Sequence, residues 1–495
     1  MTDTTKFPDP AYRDTVLTPL FDAAKHYYAP SVRAINRAHL VMLAEEGILA
    51  RDVAGKIARA LVDIDAGVDL STLEYIGEYE DYFFLVEAEL KRRLGPDVAG
   101  ALHTARSRND MDHTVFKMVL REKAKGLLTQ TMDLALALVA TARRERDTPI
   151  VAYTHGQPAQ PTTYGHYLAA VIEVLIRDGQ RLCDAREVLD HCPMGAAAIT
   201  TSGFAVNRHR MADLLGFSAP LRNSYGCIAS VDYVTGLYSA IKLVFLHLGR
   251  VIQDMQFWSA FEVGQLYVPN SMVQISSIMP QKRNPVPIEH LRHLASMTVG
   301  RCDAVVNTMH NTPFTDMNDS EGEVQVAGYA AFASAERVLT LMRALIPACS
   351  IRADRVAANM DAACVTVTEL ADTLVRDEGL SFRQAHEVAA ETARDVIARG
   401  VPLAQGFAPF TAAFTAQLGR ATGMDAAGFA DAVSVQGFIA RRDRFGGPAP
   451  AALDEAFLQY EYELAECCQI GRLGHERVTN AQTALDAAFN ALLKE

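Results

Sequence analysis

The chain has 495 residues, 49% of them hydrophobic and 21% charged, which is more than one ordinary core holds and predicts two or three domains of a soluble globular protein. Lysine and arginine number 47 against 59 aspartate and glutamate, and the net charge of −12 argues against nucleic acid or an anionic membrane as partner while allowing an anionic substrate in a locally basic pocket. The opening M-T-D-T-T-K-F-P-D-P has no basic or apolar leader region, and no run of about 18 apolar residues occurs, so the expected location is the cytoplasm. The eight cysteines form no C-x-x-C pair and fall in apolar helical patterns, which predicts reduced core thiols and neither disulfide nor metal.

Helical spacing starts with A-H-L-V-M-L-A-E-E-G-I-L from Ala38, breaks at Gly47 and resumes over Arg51 to Ala66. Next, G-E-Y-E-D-Y-F-F-L-V-E-A-E-L-K-R-R-L-G is amphipathic and stops at Gly95. No segment alternates with period two for long, so the fold class is all-α. The run H-T-A-R-S-R-N-D, ending at Asp110, sets two guanidinium groups, a hydroxyl and an amide just before a long helix, where free N–H groups and arginine forks suit a carboxylate. The same residues also make a solvated basic turn.

From Asp112 to Asp147 only Gly126 interrupts one long helical segment. The run V-A-Y-T-H-G-Q-P-A-Q-P-T-T-Y-G-H follows, and its prolines keep the backbone around Thr154 and His155 extended or turning. A histidine there is either a proton-transfer group or a plain surface donor. A second long helix is predicted over Thr163 to His191, then a small-residue loop M-G-A-A-A-I-T-T-S-G-F whose role is close packing. Over Ser230 to Glu262 apolar residues fall at Val234, Leu237, Ile241, Val244, Leu248, Val251, Met255 and Trp258. That 3-4 spacing over roughly 50 Å of helix asks for a partner seam.

The stretch Ile275 to Glu289, I-S-S-I-M-P-Q-K-R-N-P-V-P-I-E, concentrates the chemistry: two serine hydroxyls, a lysine cation, an asparagine amide and a glutamate among three prolines, between helices. Helices over Ile288 to His310 and Val324 to Leu345 complete five long segments and predict a bundle. The expected organisation is an N-terminal helical domain (1–109), a central five-helix bundle (110–360) and a C-terminal helical domain (361–495). No repeat, low-complexity tract or nucleotide-binding glycine motif is present, and no cofactor is expected.

S-S-I-M-P-Q-K-R-N-P, H-T-A-R-S-R-N-D and T-H-G-Q-P-A-Q-P resemble the signature blocks of the fumarase/aspartase superfamily, and most closely its argininosuccinate lyase branch. T-E-L-A-D-T-L-V-R-D-E-G-L-S-F-R-Q-A-H-E-V from Thr368 and A-R-R-D-R-F-G-G-P-A-P from Ala440 are similar to that branch as well. The resemblance implies anti elimination of an amine from an N-substituted aspartate to give fumarate. It implies a mobile loop with Ser276 as base, Lys282 and Asn284 steadying the carbanion, and His155, paired with Glu289, or else a water, as general acid. Arg108, Asn109, Thr154, Gln157 and Ser277 would bind substrate carboxylates or line the site. It also implies a homotetramer whose bundles associate, with each active site drawn from three subunits.

The sequence leaves the branch pattern where the arginine portion is held. A loop like Y-N-K-D-L-Q-E-D-K is typical, whereas T-D-M-N-D-S-E-G-E-V stands here, with Asp316, Glu321 and Val324 at the contact positions. Phe83 stands where a histidine is typical, and the N-terminal G-R-F motif is missing. With the aspartyl half kept and the amine half rebuilt, the expected substrate is an aminopolycarboxylate such as ethylenediamine-N,N′-disuccinate, whose protonated second amine Asp316 or Glu321 would meet. The alternatives are argininosuccinate itself and, from another class, a catalytically inactive structural protein similar to the lens delta crystallins. Adenylosuccinate as substrate fits the C-terminal similarity less well.

Overall fold

The computed structural model describes residues 7–495; the first six residues, on which the expectation about the N-terminus partly rests, lie outside the described residues. After short helical segments between residues 10 and 28 come three longer helices, α1 (Ala29–Glu45), α2 (Arg51–Gly67) and α3 (Tyr82–Leu94). Asp81 caps α3 through its carboxylate, which accepts the Phe84 N–H at 3.0 Å, and Gly95 ends the helix at a φ of +78°.

The five long helices foreseen in the sequence are α4 (Arg108–Arg144), α5 (Tyr164–Leu189), α6 (Asp232–Ser259), α7 (Val286–Thr308) and α8 (Gly322–Ala348). They pack in a closed ring, α4 on α5, α5 on α6, α6 on α7, α7 on α8 and α8 back on α4. The 3-4 seam of α6 explains its central place: Val234, Leu237, Ile241, Val244, Leu248, Met255 and Trp258 are all buried. Among the described residues α6 is also the one helix long and apolar enough to cross a membrane, and here that apolar surface packs against α5 and α7.

The polarity of the ring follows from its ends. Lys117 near the start of α4 donates to the Val188 carbonyl at the end of α5 (2.9 Å), and His113 meets the Tyr233 hydroxyl at the start of α6 (3.1 Å). At the far end Arg144 donates to the Pro347 carbonyl at the end of α8 (3.3 Å), while Tyr164 packs edge-on to Trp258. The bundle therefore has two poles, separated by the 37 residues of α4, about 55 Å at about 1.5 Å per residue.

Short strands, which the sequence pattern did not reveal, decorate the second pole. Strands β1 (Pro149–Thr154) and β2 (Gln157–Thr163) form an antiparallel hairpin, β3 (Leu266–Tyr267) pairs with β6 (Ser350–Ile351), and β4 (Gln274–Ile275) pairs with β5 (Arg283–Asn284). Two to seven residues are too few for alternation to stand out, and prolines at 149, 158 and 161 mask the β1–β2 pattern.

Beyond α9 (Ala353–Ala362), helices α10 (Val367–Glu378), α11 (Phe382–Arg399) and α12 (Phe407–Leu418) build a small core of their own around Leu374, Val388, Phe410, Phe414 and Phe429. The last helix, α13 (Pro450–Leu492), leaves this unit. Its Leu453, Phe457, Leu464, Cys467, Leu485 and Phe489 join the large core shared by α1 to α8. Seven of the eight cysteines are buried free thiols; Cys468 is exposed.

Candidate active site

The first pole is built at the start of α4. Ser107 caps the helix in a capping box with Asp110, whose carboxylate accepts the Ser107 N–H (3.0 Å) and, across the pole, the N–H groups of Gly195 and Ala197 (both 2.9 Å). Asp110 thereby ties the small-residue loop to the helix start; burial pushes its carboxyl up to about 6 against the pull of those three donors. On this frame Asn109 donates to the Ala198 carbonyl at 3.0 Å. Arg108 reaches the Asp81 carboxylate at 2.9 Å and Glu80 at 3.2 Å, with its guanidinium 5.1 Å from the Phe84 ring centre. Phe83, in the histidine's place, lies 5.4 Å under the guanidinium of Arg106, which also donates to Asn36 (2.7 Å).

Asp316 and Glu321, brought up by the connection between α7 and α8, face Arg108 and each other. Burial, reinforced by the Asp316 charge and opposed by Arg108, pushes Glu321 up to about 7. Burial also raises Asp316, one of whose carboxylate oxygens is buried without a partner. Asp112, one turn into α4, is raised well above the carboxylate range by burial and then by Glu321 and Asp81. Arg108 thus sits among Glu80, Asp81, Asp112, Asp316 and Glu321, an acidic surround with room in its charge balance for a cation. Glu80, Asp81 and Asp112 escaped the sequence reading. The E-D pair at 80–81 was the available signal, but nothing local says that it folds back onto Arg108.

The second pole carries two hairpin tips. Between β1 and β2, His155 and Gly156 form a two-residue turn with φ of +54° and +73°, the type I′ geometry, and Thr154 and Gln157 pair across it. All four are exposed. Positive φ in histidine is uncommon, so the neighbours must hold it. Buried Gln265 secures the hairpin base: its side chain accepts the Val151 N–H (3.2 Å) and donates to the Val151 carbonyl (3.4 Å). Arg355 and Asn359 of α9 fix the stretch that leads to Gln265 through the carbonyls of Glu262 (2.8 Å) and Val263 (2.9 Å).

The signature stretch is the second tip. Because Ile275 pairs with Arg283 and Gln274 with Asn284, the next positions outward are Ser276 and Lys282. Side chains two apart share a face, so Gln274, Ser276, Lys282 and Asn284 fall on one face of the hairpin and Ile275 and Arg283 on the other. Arg283 anchors its face: it donates to the Val268 carbonyl (2.7 Å) and the Asn270 side chain (2.8 Å), and it lies 4.4 Å from the Tyr267 ring centre. The Ser276 hydroxyl oxygen accepts the N–H groups of Met279 (3.2 Å) and Ile278 (3.4 Å). Ser277 and Lys282 are exposed, and Glu289 projects from the first turn of α7.

One chain therefore gathers Arg108, Asn109, Asp316 and Glu321 at the first pole, and Thr154, His155, Gln157, Ser276, Ser277, Lys282, Asn284 and Glu289 at the second. The expected pairing of Glu289 with His155 is not made within the chain: among the described residues no hydrogen bond joins them.

A family model described as lyase matches residues 38–300, and one described as argininosuccinate lyase C-terminal matches residues 364–427. Argininosuccinate lyase 2 of Agrobacterium fabrum strain C58 is 61% identical over 93% of this chain and 92% of its own. Argininosuccinate lyase 1 of Shouchella clausii strain KSM-K16 is 32% identical over 94% and 92%. Among solved structures, EDDS lyase in a variant with bound fumarate superposes with a TM-score of 0.85 at 28% identity, covering 98% of this chain and 96% of that one.

Proposed function

The chain belongs to the argininosuccinate lyase branch of the fumarase/aspartase superfamily, and from that premise we propose that its substrate is argininosuccinate, split into arginine and fumarate. That it is a carbon–nitrogen lyase releasing fumarate follows from the family. The sequence had favoured an aminopolycarboxylate; 61% identity to an argininosuccinate lyase along nearly the whole chain outweighs 28% to an EDDS lyase and reverses the order. The acidic surround of Arg108 supports the new order, because a planar guanidinium offers five N–H donors to facing carboxylates. Ethylenediamine-N,N′-disuccinate stays as the second reading, favoured by the rebuilt Thr315–Val324 loop and the 0.85 superposition.

The observation that carries the mechanism is the setting of Ser276. Two backbone N–H groups already point at its oxygen, and Lys282 is its neighbour across the hairpin, so the alkoxide form has three stabilisers in place. Ser276 takes the proton from the carbon beside the distal carboxylate. The resulting doubly charged carboxylate is held by Lys282, Asn284 and the N–H groups of the tip. The carbon–nitrogen bond then breaks, its electrons pass to nitrogen while the carbanion pair closes the double bond of fumarate, and His155, oriented by Glu289, delivers a proton to the leaving amine. Arg108, Asn109, Thr154, Gln157 and Ser277 hold the carboxylates.

These groups lie at two poles about 55 Å apart along one chain, so a working site needs copies of the chain set head to tail. A homotetramer of associated bundles, with partner subunits supplying the missing clusters, satisfies that need. Retention of the full set of reacting groups argues against the structural reading. The test is ultraviolet detection of fumarate from argininosuccinate, ethylenediamine-N,N′-disuccinate, adenylosuccinate and aspartate. Turnover of argininosuccinate supports the first reading, turnover of ethylenediamine-N,N′-disuccinate alone replaces it by the second, and silence with all four returns the structural one.

A further inference from the structure

Where the end of α5 meets α13, a cavity of about 510 Å³ is lined by Gln180, Cys183, Arg186, His191, Ser218 and Arg477, with Gly474 in its wall. Its charge balance is unusual. Arg186 is 4% exposed, Arg121 2% and the neighbouring Lys117 2%, whereas the one buried carboxylate facing them is Asp190, 8% exposed. Asp190 already serves Arg477 (2.6 Å) and Arg121 (3.6 Å), and it also faces Lys117. The lining carboxylates Asp184 and Glu187 are exposed at the rim, and Asp184 accepts from Gln180 at 2.8 Å.

Arg186 is left with little. Among the described residues its one hydrogen bond is a 3.3 Å contact to the Ile470 carbonyl of α13, no carboxylate lies within ion-pair distance, and its buried Nε has no partner. Gly474 makes this placement possible: a Cβ there would come within 1.8 Å of the guanidinium, so the helix surface is cut away to seat it. A buried, under-satisfied cation costs free energy unless something compensates it. Burial also depresses Lys117 to about 8, against the pull of Asp232 and Asp190, and lowers Arg121 against the pull of Asp190 and Glu122.

We propose that this cavity binds a small oxyanion, a phosphate or a carboxylate group, between Arg186 and Arg477, as a site separate from the substrate clusters. Arg186 supplies the buried fork and Arg477, half-exposed at the mouth, the second. The occupant pins α13 to the end of α5. Strand-like His191–Cys192 leads from there into the loop whose Ala198 carbonyl receives Asn109, so occupancy stiffens the first pole.

The experiment is isothermal titration of the full-length protein with inorganic phosphate and, separately, with succinate, on the wild type and on Arg186→Met, Arg477→Gln and Arg108→Ala. The expected result is saturable binding of at least one anion that weakens at least tenfold in Arg186→Met and in Arg477→Gln and stays unchanged in Arg108→Ala. Binding lost only in Arg108→Ala, or equal in all variants, overturns the proposal, as does absence of binding of both anions to the wild type. Should Arg186→Met fail to fold by circular dichroism, Arg477→Gln alone decides, since its side chain is half-exposed and Arg121 stays as a partner for Asp190.

Discussion

Replacing Glu321 by glutamine should make the protein more stable and a worse catalyst, and the size of both effects follows from its setting. A carboxyl carried from 4.5 to about 7 corresponds to at most about 3 to 4 kcal/mol at about 1.4 kcal/mol per pH unit, and partial contact with water reduces this to about 2 kcal/mol. The folded carboxyl binds its proton more tightly than the unfolded one, so the fold loses stability as pH rises from 4.5 through about 7 and bears the full penalty above that. Glu321→Gln removes the ionisation. At about 2.1 cal/mol/K per residue, 495 residues give roughly 1 kcal/mol per degree, so the variant should melt about 2 °C higher than wild type at alkaline pH and within a fraction of a degree near pH 4.5. Thermal melts across that range read the difference, and initial rates with argininosuccinate should show KM raised about tenfold with kcat less affected, since a cation loses its partner before chemistry starts. A variant that melts lower than wild type at alkaline pH would refute the reasoning. It would mean that Glu321 is ionised in the fold and locked to Arg108 as a structural ion pair.

Ser276→Ala should lower kcat by at least about a hundredfold while leaving size-exclusion behaviour unchanged, because the hydroxyl is on an exposed tip and holds nothing but its own turn. At the other tip, His155→Asn keeps a residue at ease with positive φ and should preserve the melting temperature while impairing proton delivery to nitrogen. His155→Ala should in addition lose about 1 kcal/mol of stability, measurable by urea unfolding. If poles of different copies make each site, an equimolar mixture of inactive Arg108→Ala and Ser276→Ala protein, unfolded and refolded together, regains part of the activity; no recovery in a mixture shown to co-assemble removes the composite site.

The long helices were legible because each carries its own period: the α6 seam alone predicts its burial, and Gly95 marks an end that the structure keeps, whereas α4 starts at Arg108 under the Ser107 cap and not at the expected Asp112. What escaped depends on groups far apart in sequence. Glu80 and Asp81 become part of the site only because α3 folds its N-cap back onto Arg108, 27 residues on. The facing of Ser276 and Lys282 needed the β4–β5 register, which two-residue strands cannot announce. The type I′ turn at His155 was hidden because its sequence, His-Gly, lacks the asparagine or aspartate that usually signals it. Phe83, read only as a departure from the family pattern, turns out to be the face on which Arg106 lies.

The return of α13 has a consequence for how the protein is made. Its end lies against α2, with Arg59 donating to the Leu493 carbonyl at 3.4 Å and Arg51 paired with Glu495 at 2.5 Å across 444 residues of sequence. Helices α1 and α2 leave the ribosome long before α13 does, so the apolar surface that α13 covers waits open until that distant helix arrives. Loop closure on that scale slows the docking of α13 more than it weakens the product. A chain whose synthesis stalls before α13 keeps that flank of the large core open.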